Sequence, residues 1–234
     1  MRVLAIGAHP DDLEVFCSGT LALCKERGDE IFIAIATNGN VGSGDPKVSR
    51  EEIAAIRHEE AKASAAMLGA TLIWMGFDDE FLFDNRETRE RFIDAIREAR
   101  PDIMFVMSED DYHPDHRLAG TIARDARIPA SVDKVVTKLK ATPIPTVFIM
   151  DTLLGRHFEP ELFVDISKVI ERKKEMLACH VSQSAWIDYV FGTEFNANML
   201  IQSKFRGAQS GSEYAEGFKL LHDWPYTGDG KLLP

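Results

Sequence analysis

Short apolar runs alternate with longer stretches of helical period through the first half of the chain. Residues 3–6, 31–36, 72–74 and 103–107 have the unbroken apolar character of strands covered on both faces. Between them, residues 19–27 repeat at helical spacing and are followed by Gly28, suited to the left-handed residue that ends a helix. Residues 49–68 open on Ser49-Arg50-Glu51-Glu52, a capping-box pattern, and stop at Gly69. Residues 86–99 stop before Pro101. Strands separated by helices predict right-handed crossovers and a mostly parallel sheet. The fold class expected is α/β, a Rossmann-like three-layer sandwich.

The second half is less regular. Residues 146–150 read as a strand, 163–166 as a short one, and 165–179 as a helix dense in Lys and Glu. The 38–48 loop carries three glycines and Pro46, so it is expected to be flexible and near whatever the strand ends bind. Residues 210–234 are expected to wrap the surface. No repeat, low-complexity tract or linker divides the sequence, which predicts a single domain over 1–234.

Charge narrows the function. Lys+Arg 27 against Asp+Glu 38 gives a net charge of -11, which argues against nucleic-acid or anionic-membrane binding through basic patches. No apolar stretch approaches the roughly 20 residues that span a bilayer, so no membrane insertion is expected. The apolar start is too short for a signal peptide. Cys17, Cys24 and Cys179 share no CxxC spacing and read as reduced thiols of a cytoplasmic protein.

The chemistry sits behind two of the strands. His9-Pro10-Asp11-Asp12-Leu13-Glu14 follows the first, and Tyr112-His113-Pro114-Asp115-His116 follows residues 103–107. Open α/β sheets bind ligands at the carboxyl ends of their strands, which lets both loops face one cleft. Imidazole and carboxylate suit zinc, whose catalytic sites keep three protein ligands and leave one position for water. Zinc brings the pKa of that water down to about 7. Neither loop contains cysteine, which argues against a closed structural zinc site. One His-Pro-Asp tripeptide is weak evidence. Two, each behind a strand and each continued by another ligand type, favour a metal site over coincidence.

These motifs make the sequence resemble the PIG-L/LmbE-like zinc-dependent N-acetylglucosamine deacetylases over nearly its whole length. Ala-His-Pro-Asp-Asp-x-Glu and His-Pro-Asp-His are both complete here. Ser18-Gly19-Thr20 is similar to the family's Gly-Gly-Thr, with serine for the first glycine. Arg57, Glu60 and Leu68-Gly69 fit its Arg-x-x-Glu helix, while 174–180, Ser182 and Gln183 fit its late Lys…His-x-Ser-Gln element. Arg206-Gly207 and Tyr214-Ala215-Glu216 resemble its closing region. The resemblance implies His9, Asp12 and His116 as ligands of Zn2+, with iron(II) as the alternative metal. It implies Asp11 as the general base that takes a proton from the activated water. His113, oriented by Asp115, would stabilise the oxyanion as an imidazolium and protonate the leaving amine. The implied substrate is a small N-acetylated sugar or sugar conjugate, and the implied assembly a homo-oligomer.

Other residues have competing readings. Glu14 is either support for a ligand or a first-turn acid favoured by the helix dipole. The residues alone favour an i, i+3 bridge from Arg57 to Glu60, and the resemblance moves Arg57 ahead as a substrate-cleft residue. The resemblance also implies Asp78, in preference to Asp79, as an acceptor for a sugar hydroxyl. The His-x-Ser-Gln match gives His180 and Gln183 a cleft-facing role. Tyr112, directly before His113, is expected beside the site. Trp74, Trp186 and Trp224 are expected to pack, and His58, His157 and His222 to lie on the surface or in packing. Two other functions compete: a deacylase of another acylated amine, and a non-catalytic sugar or nucleotide binder. The second lacks Gly-x-Gly-x-x-Gly after the first strand, and Pro10 removes an amide that a phosphate cradle would use.

Overall fold

A computed structural model describes residues 1–234, apart from the side chain of Phe191. Its strands are β1 (Arg2–Gly7), β2 (Glu30–Thr37), β3 (Thr71–Phe77), β4 (Ile103–Val106), β5 (Thr146–Met150), β6 (Leu162–Asp165) and β7 (Ala215–Leu220). They form one sheet in the order β3-β2-β1-β4-β5-β7-β6. Strands β1 to β5 pair in parallel, and β7 runs antiparallel to both of its neighbours. The helices are α1 (Asp12–Phe16), α2 (Ser18–Glu26), α3 (Arg50–Met67), α4 (Arg86–Ala99), α5 (Pro114–Ala130), α6 (Ile170–Ala178), α7 (Val181–Phe191) and α8 (Phe195–Ser210). Helix α4 packs on α5, while α1, α2 and α3 meet α6. This is the mostly parallel, three-layer α/β architecture that the alternating pattern predicts.

The apolar strands supply the core. Val3 to Ile6 and Ile103 to Val106 are essentially inaccessible, and Phe105, Phe148 and Phe218 stack across β4, β5 and β7. Strand β1 lies between β2 and β4, where the direction of winding reverses. A crevice opens at the carboxyl ends of strands at such a switch point. The register Val3 with Ile103 through Ile6 with Val106 brings the two exits side by side. Both chemistry-bearing loops leave from there.

Local signals explain the helix starts. The Ser49 hydroxyl accepts from the Glu52 amide at 3.1 Å, and Glu52 accepts from the Ser49 amide at 2.8 Å, closing the capping box of α3. His113 caps α5 through its ring, and Pro114 occupies the first turn. Helix α5 presses on the exit of β4 at Gly120, where a Cβ would meet the Met107 carbonyl oxygen at 2.2 Å.

Three expectations need correction. Residues 165–179 are not one helix: Asp165 ends β6, a short 3-10 turn follows, and α6 starts at Ile170. The 210–234 tail is not confined to the surface, because Ala215–Leu220 enters the sheet between β5 and β6. The helix expected at residue 19 begins at Ser18 and is preceded by α1, which starts inside the first motif.

Candidate metal centre and active site

Helix α1 presents the first motif. Asp11 sits at its N-cap with φ 122, a conformation costly for a residue with a side chain. Asp12 begins the helix, and its Oδ2 accepts from the Ala8 amide at 2.9 Å and the His9 amide at 2.7 Å. Those bonds fix the carboxylate against the loop. From the other side, α5 delivers His116 one turn after His113.

The two loops meet tightly. His9 Nδ1 lies 3.2 Å from His116 Nε2. Asp12 Oδ2 is 3.6 Å from His9 Nδ1, and Asp12 Oδ1 is 3.2 Å from His116 Nε2. Ligands about 2.0 Å from a tetrahedral ion stand about 3.3 Å apart, so these separations are of the size that a small metal ion's ligands have, with Asp12 turning one oxygen to each ring. Two other groupings are also present, since His9, His113 and His116 offer ligand atoms within 4.8 Å of one another, as do His9, Asp79 and Asp115. The His113 nitrogens already face the Asp115 amide and Glu80, and Asp79 and Asp115 face the far nitrogen of His9. The set of His9, Asp12 and His116 is the one that uses neither the His113 ring nor the far nitrogen of His9.

The surroundings fit a cation. Asp11, Asp12, Asp79, Asp111 and Asp115 are all at most 8% exposed, and the Arg57 guanidinium faces two of them, Asp11 at 3.2 Å and Asp79 at 3.9 Å. A divalent ion offsets that excess of buried negative charge. Each ligand-type histidine also turns its second nitrogen to a carboxylate: His9 Nε2 lies 3.0 Å from Asp79 Oδ1, and His116 Nδ1 lies 3.1 Å from Asp111 Oδ1. That pairing fixes ring orientation and raises basicity at the metal-facing nitrogen. Neither contact is well aligned, and both nitrogens remain without a hydrogen bond.

Titration follows from the same crowding. Burial works against charge on His116, but Asp12 and the contact with Asp111 outweigh it and push the ring up to about 9. Burial likewise opposes charge on His9, and contacts with Asp115, Asp12 and Asp79 hold it well above the usual range. Asp12 is held well below the carboxylate range despite its burial, chiefly by the His116 charge. Asp11 is raised to about 6: burial lifts it, Arg57 pulls it back, and the Asp12 charge lifts it again.

The remaining sequence candidates fall into two groups. Arg57 is 2% exposed and forms no bridge to Glu60; its guanidinium donates to the Pro10 carbonyl at 2.6 Å, the Gly39 carbonyl at 3.1 Å and Asp11 Oδ2 at 3.2 Å. Glu60 instead accepts from Ser182. Gln183 is buried and donates to the Gly42 carbonyl at 2.9 Å. Arg57 and Gln183 thus pin the 38–48 loop, and a Cβ on Gly39 or Gly42 would strike the Arg57 guanidinium. Glu14 turns to Ser64 Oγ at 2.5 Å and to His180 Nε2 at 3.3 Å, so its partner is the fully buried His180 and not a ligand. Tyr112 is exposed, with its ring centroid 5.7 Å from that of His113 and 5.8 Å from that of His116.

Two expectations change here. His180, expected to face the cleft, is fully buried against Glu14. Asp78 keeps an exposed carboxylate that accepts from Asn40, and its neighbour Asp79 is the buried residue that reaches His9. Asp115 does not orient His113 with its carboxylate. That carboxylate accepts from the Glu80 amide at 2.8 Å, and only the Asp115 backbone amide meets the His113 ring. Asp111 goes unnoticed in the sequence, and Asp79 enters only as the alternative to Asp78, because loop carboxylates are common. Their one local signal is position, just past the ends of β3 and β4.

Comparison with known proteins finds a matching family model and relatives along most of the chain. The PIG-L family model, described as GlcNAc-PI de-N-acetylase, matches residues 4–127. Diacetylchitobiose deacetylase of Thermococcus kodakarensis is 31% identical over 242 residues, covering 97% of this chain and 87% of that protein. The structure of N,N'-diacetylchitobiose deacetylase from Pyrococcus horikoshii superposes with a TM-score of 0.84 at 28% identity, over 96% of this chain and 87% of that one. A 4-oxalmesaconate hydratase of Pseudomonas putida is 26% identical over 194 residues, covering 80% of this chain and 75% of that protein. Among the described residues, no helix is long and apolar enough to cross a membrane.

Proposed function

Because the chain belongs to the PIG-L family, we propose that it hydrolyses the acetamide of an N-acetylglucosamine-type sugar at a zinc ion held by His9, Asp12 and His116, within one domain spanning residues 1–234. The observation that carries this reading is the triangle of His9 Nδ1, Asp12 and His116 Nε2, with edges of 3.2 to 3.6 Å, beside a carboxylate raised to about 6. When bound, the metal supplies Lewis acidity, polarising the acetyl carbonyl and making water acidic enough to ionise near neutral pH.

The chain's own residues do the rest. Asp11, ionised at neutral pH yet more basic than an ordinary aspartate, takes a proton from the attacking water. Arg57 holds that carboxylate in place from below. Oxygen adds to the acetyl carbon, Asp11 passes the proton it received to the nitrogen, and the carbon–nitrogen bond breaks to give acetate and the free amine. His113, edge-on to His9, donates to the developing oxyanion. The exposed ring of Tyr112 beside it supports a flat wall for a sugar.

Hydration of an unsaturated acid is the competing reading, favoured by the Pseudomonas relative. The buried carboxylates of this site repel an anionic substrate, and Arg57 is already engaged; a neutral acetamido sugar meets no such repulsion. The zinc-loaded protein should be offered N-acetylglucosamine, N,N'-diacetylchitobiose, a non-sugar N-acetyl amine and 4-oxalmesaconate. Acetate and free amine in equal amounts from the sugars support the proposal. Turnover of the acid alone, or no acetate from any sugar, overturns it.

A further inference from the structure

Glu80 carries a set of constraints that hydrolysis does not use. It lies just past β3, beside Asp79, at φ 69, a region that residues with side chains seldom enter. Its backbone is clamped there by the buried Asp115 carboxylate, which accepts from the amides of Glu80 at 2.8 Å and Leu82 at 3.4 Å. Leu82 is buried behind it, while Phe81 and Phe83 on either side stay exposed. The loop is therefore anchored, and the Glu80 side chain is aimed. Its Oε1 lies 3.1 Å from His113 Nε2.

The other end of the His113 ring is also fixed. Nδ1 accepts the Asp115 amide at 3.2 Å as the cap of α5. A neutral imidazole that accepts at Nδ1 carries its proton on Nε2. The ring is wedged beside the two ligand-type histidines, edge-on to His9 at 4.6 Å and stacked on His116 at 4.9 Å between centroids. Nε2 is thus the one ring atom able to meet a substrate, and Glu80 sits on it. The Glu80 side chain is 48% exposed, against 17% for His113, so it is free to withdraw while the ring stays held.

We propose that Glu80 is the positioning residue of His113, holding the Nε2–H toward the cleft until the substrate acetamide oxygen takes that hydrogen bond over. Asp115 acts one step further away, by fixing the loop that presents Glu80. The inference rests on the oxyanion role given to His113 above.

The test uses the zinc-loaded full chain carrying Glu80→Ala or Glu80→Gln. Glu80→Ala should lower kcat about 10- to 100-fold, the range for loss of a group that orients a catalytic side chain. KM and zinc content should stay within about twofold of wild type. Glu80→Gln, which keeps an oxygen acceptor, should recover part of the rate. Histidine 15N spectra give the readout that a merely structural role does not move. In wild type, the His113 Nδ1 should be unprotonated and Nε2 protonated; Glu80→Ala should keep that tautomer, since the Asp115 amide still fixes Nδ1, but should shift the Nε2 resonance and speed exchange of its proton. A kcat within twofold of wild type, or an unchanged His113 pattern in Glu80→Ala, would overturn the proposal. Were wild type inactive on every N-acetyl sugar, the deacetylase reading would fall, and the 15N pattern would decide the Glu80 contact by itself.

Discussion

Replacing Asp111 with Asn removes a charge without removing an acceptor, and so isolates what that charge does for the metal. Asp111 has a fully buried side chain, 3.1 Å from His116 Nδ1 through Oδ1. The same Oδ1 accepts from the His113 amide at 3.0 Å, a bond that the Asn oxygen preserves. At that separation, and with an effective dielectric of about 20, full charges would interact by about 5 kcal/mol, an upper bound. Loss of such an outer partner lowers metal affinity about 10- to 100-fold, or about 1.4–2.7 kcal/mol. At free zinc near 1,000 times Kd, binding stabilises the fold by about 4.1 kcal/mol, so the variant should retain about 1.4–2.7 kcal/mol. For a chain of this size, that is a drop in Tm of about 3–11 °C. Chelator-competition titration measures the affinity, and thermal melts with and without zinc measure the linkage. A zinc Kd within twofold of wild type would refute the reasoning, as would an equal loss of Tm in metal-free and zinc-loaded protein.

Other outcomes follow from the same geometry. Since Asp11 must be ionised to act as base, kcat/KM should fall as pH drops through about 6, or lower once a bound cation's charge is added. Arg57→Leu, which removes the charge pulling Asp11 down, should move that acid limb upward in a pH–rate profile; an unmoved limb would separate Asp11 from it. In metal-free protein the raised pKa of His9 and His116 means that their protonated forms stabilise the fold below pH 6.5, a contribution lost as pH rises through about 9 for His116. Zinc needs both rings neutral, so calorimetry in buffers of different ionisation enthalpy should show proton release on binding. Lys173 and Glu216 form a buried ion pair, with Lys173 also donating to the Val15 carbonyl at 2.8 Å. Lys173→Met should cost about 3–5 kcal/mol in urea unfolding, and adding Glu216→Gln should restore part of it.

How far the sequence could be read depends on where each group finds its partner. Strands β1, β2, β4 and β5 are legible because burial on both faces demands unbroken apolar runs. Strand β7 is not, since Glu216 and Gly217 interrupt it. Glu216 is tolerated inside because Lys173 and the amides of Gly19 and Thr20, at 2.9 and 2.7 Å, satisfy its carboxylate. All three lie far away in the chain. His9, Asp11, Asp12, His113 and His116 stand out because two short motifs concentrate them. Asp79, Asp111 and Glu80 do not, because nothing local distinguishes a carboxylate facing an imidazole from one facing water. Asp78 and Asp79, one exposed and one buried, show the limit. One residue of phase along the exit of β3 decides which side chain turns inward, and packing sets that phase.

The central claim is that one metal ion, held by His9, Asp12 and His116, drives acetate release. Zinc titrated into chelator-stripped protein, with acetate from N,N'-diacetylchitobiose measured at each addition, tests it most directly. Acetate release should be absent without metal, rise in proportion to zinc and level off at one ion per chain. Activity in the stripped protein equal to that of the loaded one, or no acetate at any zinc level, would contradict the claim.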